Sequence, residues 1–407
     1  MTMEPEFVLD PATLDLHDSD ERLRRAGPLV PVRVEGVLAW AATSHATLEA
    51  VLSHPAMTRD IRYWDPEARA AAPQGTSLMR LVTDASMLNA DGEDHRRLRG
   101  PLVKLFSARQ VQRMEPWITS IVGDLLEDLA ARPPGEPVDL RAEYAYPLPL
   151  RVIVEMLGVP DSHRERLRAL TDEVVQLDQS PPDSPEGRRA LFELVGEIIE
   201  VRRGTPGEDL TSELIALHAQ GRLDDAELRD TVQVLLIAGH VTTINLIAHA
   251  VRALLGRPEQ LALLRSGAVP WSAAVEEALR WESPNAYFPM RYAMEDLEIE
   301  GVRLRAGEAV LACFSAAGRD PERFGENAAD FDVTRPAVPH LAFGHGPHFC
   351  LGAPLARLQA EVALPALFAT FPEMRAAGPL DDLPRLTSLL DNGVRALPVL
   401  LGPRAAG

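Results

Sequence analysis

The chain has little cysteine. Two residues in 407, Cys313 and Cys350, leave no material for a disulfide framework and almost none for a cysteine-built zinc site. It has a single lysine, Lys104, so nearly all its positive charge is arginine, and a formal net charge of −19 argues against nucleic acid as a partner. No run of roughly eighteen uninterrupted apolar residues occurs. The N-terminus, Met1-Thr2-Met3-Glu4-Pro5-Glu6, opens on acids rather than on the cations of a leader. These two absences lead us to expect a cytoplasmic protein with no membrane association. Linkers rich in glycine and serine, charge runs and internal repeats are also missing, which gives the expectation of one undivided domain over residues 1–407. What is present is an ordinary globular mixture, 46% hydrophobic and 25% charged, able to bury a large core.

The apolar pattern is mostly helical. Ser107 can cap a helix in which Val111, Met114, Ile118, Ile121, Val122, Leu125, Leu126 and Leu129 recur at three- and four-residue steps, closed by Arg132-Pro133-Pro134-Gly135. A second helical pair is separated by the turn-rich run Ser180-Pro181-Pro182-Asp183-Ser184-Pro185-Glu186-Gly187. The longest helical segment extends from Asp224 to Leu255, stopped by Gly256 and Pro258. It would span about 50 Å. Its centre, Val232 to Ile247, is apolar on most faces and so predicts burial on most faces. Short strand-like runs lie at Val30–Val34, Val37–Ala41, Leu297–Leu304, Ala309–Phe314 and Ala396–Leu401. The fold class expected is mainly α with minor β.

Four constellations carry chemistry. Phe343-Gly344-His345-Gly346-Pro347-His348-Phe349-Cys350-Leu351-Gly352 places one cysteine in a glycine-hinged loop at the mouth of a helix. The free amides and positive dipole end of that helix favour a thiolate. Read alone, Cys350 is a single-sulfur ligand, a buried structural cysteine or a redox-sensing thiol. Inside the long helix sits a polar island, Ala238-Gly239-His240-Val241-Thr242-Thr243, where small residues admit a flat ligand or a diatomic; a satisfied helix–helix contact is the plainer alternative. Glu277 and Arg280 stand at i, i+3 on one helix face. His95 and Arg99 share a face at i, i+4, which by itself is a solvated basic face.

In their order and content these motifs resemble those of the cytochromes P450, of the bacterial soluble class and the actinobacterial secondary-metabolite type. The resemblance implies a P450 fold, with the haem between a long central distal helix and the Cys-bearing proximal loop. It implies haem b (iron protoporphyrin IX) as cofactor, Cys350 as the axial thiolate, and His95, Arg99, Arg291 and His348 as partners of the propionates. Glu277, Arg280 and a third partner, Arg335, become a structural ion-pair cluster. Thr242 matches the threonine that supports oxygen activation. Val241, however, stands where the family carries an acid, so proton delivery falls to Thr242, to His240 or to a polar group of the substrate.

By position, the substrate contacts expected are Leu88, Leu235, Ala238, Asn285, Ala286, Phe288 and Leu389, a largely apolar set. The activity implied is O2-dependent hydroxylation of a hydrophobic secondary metabolite such as a macrolide, peptide or terpenoid/steroid. Oxidative cyclisation or C–C/C–N coupling of an aromatic or indole-containing peptide is the alternative, favoured by Val241. A haem-binding sensor and a peroxide-driven haem enzyme stay open as other classes. A ferredoxin and its reductase are the expected electron donors to a monomer, docking near Cys350, where Arg96, Arg97, His345 and Arg357 supply positive charge.

Overall fold

The computed structural model describes residues 7–84, 86–175 and 185–405. Most of the run Ser180 to Gly187 therefore lies outside the described residues. The chain groups into two compact units, each assembled from separated stretches of sequence. The first takes the described residues up to Arg96, then Leu263–Ala353 and Ser388–Asn392. The second takes Arg97–Ala262, Pro354–Thr387 and the chain from Gly393 onward. Three of the five crossings between the units fall within the helices Gly92–Leu105, Pro258–Arg265 and Ala353–Thr370. Those crossings leave no linker composition to read.

The first unit is built on a six-stranded sheet, in the order Phe7–Leu9, Leu29–Val34, Val37–Ala42, Ala309–Cys313, Tyr287–Ala293, Met57–Thr58. Leu29–Val34 and Val37–Ala42 form a hairpin across Glu35 and Gly36, both at positive φ, as a two-residue turn matched to strand twist requires. All five residues of Ala309–Cys313 are buried, the pattern of a strand covered on both faces. Tyr287–Ala293 had no strand signature in the sequence because Pro289 interrupts it; the ladder shifts register between Phe288 and Arg291, where a missing N–H does least harm. The run Leu297–Leu304 is a hairpin, not one strand, turning at Glu300 and Gly301.

Helix Trp271–Trp281 in this unit carries the expected ion-pair cluster. Arg280 holds both Glu277 oxygens at 2.7 Å and donates to the carbonyls of Gly318, Ala328 and Asp330, while Arg335 Nε reaches Glu277 Oε1 at 3.2 Å. Both members of the pair are buried, so each charge relies on these bonds.

The second unit is helical, with a small sheet of Val138–Asp139, Arg375–Ala376 and Pro398–Leu400. The helix expected from Ser107 is two: Ala108–Gln112, then Glu115–Ala130, whose buried face is Ile118, Ile121, Val122, Leu125, Leu126 and Leu129 as the periodicity predicts. Pro116, in the first turn of the second helix, lacks the N–H that would bond back into the first.

The longest segment starts in a capping box, Asp224 with Glu227, and is also two helices, Asp225–Ala238 and Val241–Leu255. Taken together they are long and apolar enough to cross a membrane by composition, but 72% of the window is buried, which marks a core helix.

Candidate functional site

Cys350 sits where the loop turns into the helix Ala353–Thr370. Its amide donates to Phe343 O at 2.7 Å, closing the loop on itself, and Ala353 N donates to its carbonyl. Gly344 and Gly346 adopt φ of 74° and 70°, and a Cβ on Gly346 would lie 3.1 Å from Leu52 O. Positive φ strains a side chain at either position, and Gly346 has little room for one. The result is a stiff cradle in which Cys350 is exposed. Cys313 is the contrast. It is fully buried in the sheet, and burial, with Asp20 adding to it, pushes its thiol well above the ordinary range. One cysteine is sealed in the core; the other is exposed.

Three of the expected propionate partners meet beside this loop in the first unit. His95 and His348 lie ring against ring, 4.2 Å between centroids, both buried. Arg291 is buried on the strand Tyr287–Ala293. Asp91, unforeseen from the sequence, organises them: Oδ1 meets His348 Nε2 at 2.8 Å, and Oδ2 accepts from Thr58 Oγ1 at 2.8 Å and from the Arg59 amide at 2.5 Å. Against the cost of burial, these bonds hold Asp91 well below the usual carboxylate range. Burial pushes His348 down to about 3 in spite of Asp91, with the Arg59 and Arg291 charges adding to the depression. Arg99, the fourth expected partner, is half-buried one turn beyond His95 on the helix Gly92–Leu105. An acid just before a helix reads as a cap, which is why Asp91 was passed over.

In the second unit the polar island breaks the long helix. The amide of His240 pairs with Ile237 O at 3.4 Å, a tighter turn, and its ring nitrogen Nδ1 donates to Leu236 O at 2.6 Å. The side chain thus takes the place its own amide has left. His240 is fully buried, its ring edge-on to Tyr146, so the structure keeps it off the open face that carries Thr242.

Gly239 serves packing and not ligand approach: a Cβ there would lie 2.5 Å from Leu235 O and 2.8 Å from Ile153. Ala238 is exposed and Thr242 half-exposed, and with Val234 they follow one another at four-residue steps along an open strip, flanked by half-buried Ile237. Val234 and Ile237 were not singled out from the sequence, where they read as core. Thr242 Oγ1 donates back to Ala238 O at 3.3 Å, and Val241 is buried.

The expected substrate residues divide. Asn285, Ala286 and Leu389 do meet: Ala286 N donates to Leu390 O at 2.8 Å, Tyr287 N donates to Leu389 O at 3.3 Å, and Asn285 pairs with Asp391. Yet the side chains of Ala286 and Leu389 belong to the hydrophobic core of the first unit. Asn285 and Leu88 remain half-buried. Phe288 is partly buried, with the Arg59 guanidinium 4.8 Å over its ring. Leu235 is buried, although it stands three residues before Ala238 beside the open strip. Among the expected docking cations, Arg97 is committed to Glu227 at 2.6 and 2.9 Å and to Arg222 O.

The first-unit residues suit a flat group that accepts one sulfur and carries carboxylates. An exposed thiol stands beside a buried cluster holding the guanidiniums of Arg59 and Arg291 and one carboxylate, Asp91, and haem b answers both demands. A family model described as "Cytochrome P450" matches residues 271–377, the span from the Glu277 helix through the Cys350 loop. The 2-hydroxy-5-methyl-1-naphthoate 7-hydroxylase of Streptomyces carzinostaticus is 37% identical over 403 residues, covering 98% of each chain. The solved structure of CYP154C4 from Streptomyces sp. W2061 superposes with a TM-score of 0.94 at 40% identity, over 100% of both chains. CxnD, a P450 described as acting in C–S bond formation in chuangxinmycin biosynthesis, superposes at 0.83 with 32% identity, over 95% of this chain and 94% of its own.

Proposed function

The chain belongs to the cytochrome P450 family, haem b-dependent oxidoreductases, and from that premise we propose that it hydroxylates a hydrophobic secondary metabolite with electrons from a ferredoxin and its reductase. When bound, haem b supplies the activation of O2, with one oxygen atom going to the substrate and the other to water. The observation that carries the reading is the exposed Cys350 in a loop too constrained to fold it away, one turn before a helix N-terminus.

The chain's own residues have separate tasks. Cys350 presents one sulfur at a fixed position. His95, Arg99, Arg291 and His348 anchor the cofactor's carboxylates and set its orientation. Thr242 holds a proton at Oγ1 on the open strip, ready to pass it to bound water in place of its bond to Ala238 O. Val241 carries no proton, so the acid's part passes to ordered water or to the substrate. The strip Val234, Ile237, Ala238 and Thr242 gives the substrate an apolar wall with one hydroxyl. Burial of the substrate against it excludes bulk water, which would otherwise divert the oxidant. Among the relatives named above, the naphthoate hydroxylase supports an aromatic substrate.

The second reading is oxidative ring closure or coupling. It rests on Val241, since a reaction that takes its proton from a substrate N–H, O–H or S–H has less need of an acid. The deciding experiment is the reduced carbonyl spectrum of the purified protein, followed by turnover of an aromatic substrate panel with NAD(P)H, ferredoxin and reductase. A thiolate-type red-shifted Soret band and partner-dependent product uphold the reading. A haem spectrum without turnover would make the protein a sensor, and turnover with peroxide alone would remove the ferredoxin.

A further inference from the structure

Arg59 is a buried arginine that neither the sequence motifs nor the activity uses. It follows the edge strand Met57–Thr58, where Met57 pairs with Ala293 and Thr58 with Tyr292. Continued by one residue, that register sets Arg59 level with Arg291, whose charge acts on it. Like charges directly opposite across a sheet repel, and here both residues are buried, at 7% and 6% exposure. Phe288 supports the Arg59 guanidinium from 4.8 Å, but a ring face carries no net charge.

Asp91 is the carboxylate whose field reaches both arginines, and Asp84 adds its charge at Arg59. Asp91 spends its oxygens on His348, Thr58 and the Arg59 main chain. Burial and the Arg291 charge still outweigh both acids and draw Arg59 down to about 9. Negative charge brought to this cluster would favour both buried arginines.

We propose that Arg59 is a further anchor for a cofactor carboxylate, a cation held on Phe288 beside Arg291. The assignment rests on the haem reading above and adds to it a residue outside the four expected partners. Its consequence is that the first unit holds haem b by charge as well as by the Cys350 sulfur.

The test compares loss of haem b to apomyoglobin from the full-length protein and from Arg59→Met and Arg59→Lys, then repeats it with the dimethyl ester of haem, whose carboxylates carry no charge. Arg59→Met is expected to lose haem b about ten- to a hundredfold faster. Arg59→Lys should fall between, and the ester should leave the parent and Arg59→Met at the same rate. Equal haem b loss from parent and Arg59→Met overturns the assignment. So does an equal acceleration for haem b and its ester, which would reduce Arg59 to packing on Phe288. A parent protein that gives no thiolate-type carbonyl band overturns instead the haem reading on which the assignment stands.

Discussion

The Cys350 loop and the break in the long helix are both interruptions of regular structure that present a polar atom, and they achieve it by opposite means. The loop is stiffened by what it lacks: Gly344 and Gly346 stand at positive φ, and the space beside Gly346 is closed by Leu52 O. The helix is broken and then repaired, the His240 ring replacing its own amide at Leu236 O. In the first, the presented atom is the reason for the geometry. In the second, the most conspicuous polar residue is mortar, and the presented hydroxyl belongs to its quieter neighbour, Thr242. Polarity in a helix core thus marks a place without saying which residue acts there.

The comparison breaks most sharply at the sulfur. Cys350→Ala is expected to abolish the thiolate-type carbonyl band and partner-dependent turnover together, read by difference spectroscopy and product assay, while the Cys313→Ala variant keeps both. Thr242→Ala comes next: product per electron falls by about a hundredfold while NAD(P)H oxidation continues, because the proton holder is gone and the sulfur is not. Measuring product against NAD(P)H consumed checks it; unchanged coupling would move the proton route off the open strip.

Val241→Glu has a smaller and two-sided effect. Oxygen consumption rises and the coupling ratio changes, at a cost of about 1–3 kcal/mol in urea stability for placing an acid at a buried position. An oxygen rate and coupling equal to the parent's would mean that the missing acid plays no part.

The smallest expected effect lies at Asp20, on the helix Leu16–Ala26 of the first unit. Asp20 is fully buried, accepting from Tyr287 Oη at 2.8 Å, and burial raises its pKa from 3.8. The folded state binds that proton more tightly than the unfolded one. Stability from this group is therefore complete below about pH 4 and is lost as pH rises through the raised folded value. Asp20→Asn should remove that slope, so its urea midpoint gains on the parent's from pH 4 to pH 7; parallel curves would show that Asp20 is charged at no net cost.

Much of this was legible before any coordinates. The loop could be read because glycine, proline and a scarce cysteine have few other uses in that arrangement. The Glu277–Arg280 pair shows in its spacing, its role and its third partner Arg335 came from the resemblance, and the structure joins all three residues. The helix interruption was seen as polarity, but the direction of the His240 ring depends on which backbone carbonyl is left over, and no residue pattern states that. The substrate side was least legible. Leu235, Ala286 and Leu389 are apolar residues that the structure buries, Val234 and Ile237 are apolar residues it leaves partly open, and the sequence writes both kinds alike. Arg59 and Asp91 escaped because each is defined by what a remote strand or loop brings to it.

Each compact unit draws on several separated stretches of the chain, and this constrains how the protein can be recombined with its relatives. A single crossover at any interior point of the sequence leaves at least one unit a mosaic of two parents, with pairs of residues that were never selected together. Grafting a whole helical unit from another family member means exchanging Arg97–Ala262, Pro354–Thr387 and the chain from Gly393 at once. Libraries built by one-point fusion will therefore mostly sample damaged cores, and those cut at these boundaries will sample new combinations of intact ones.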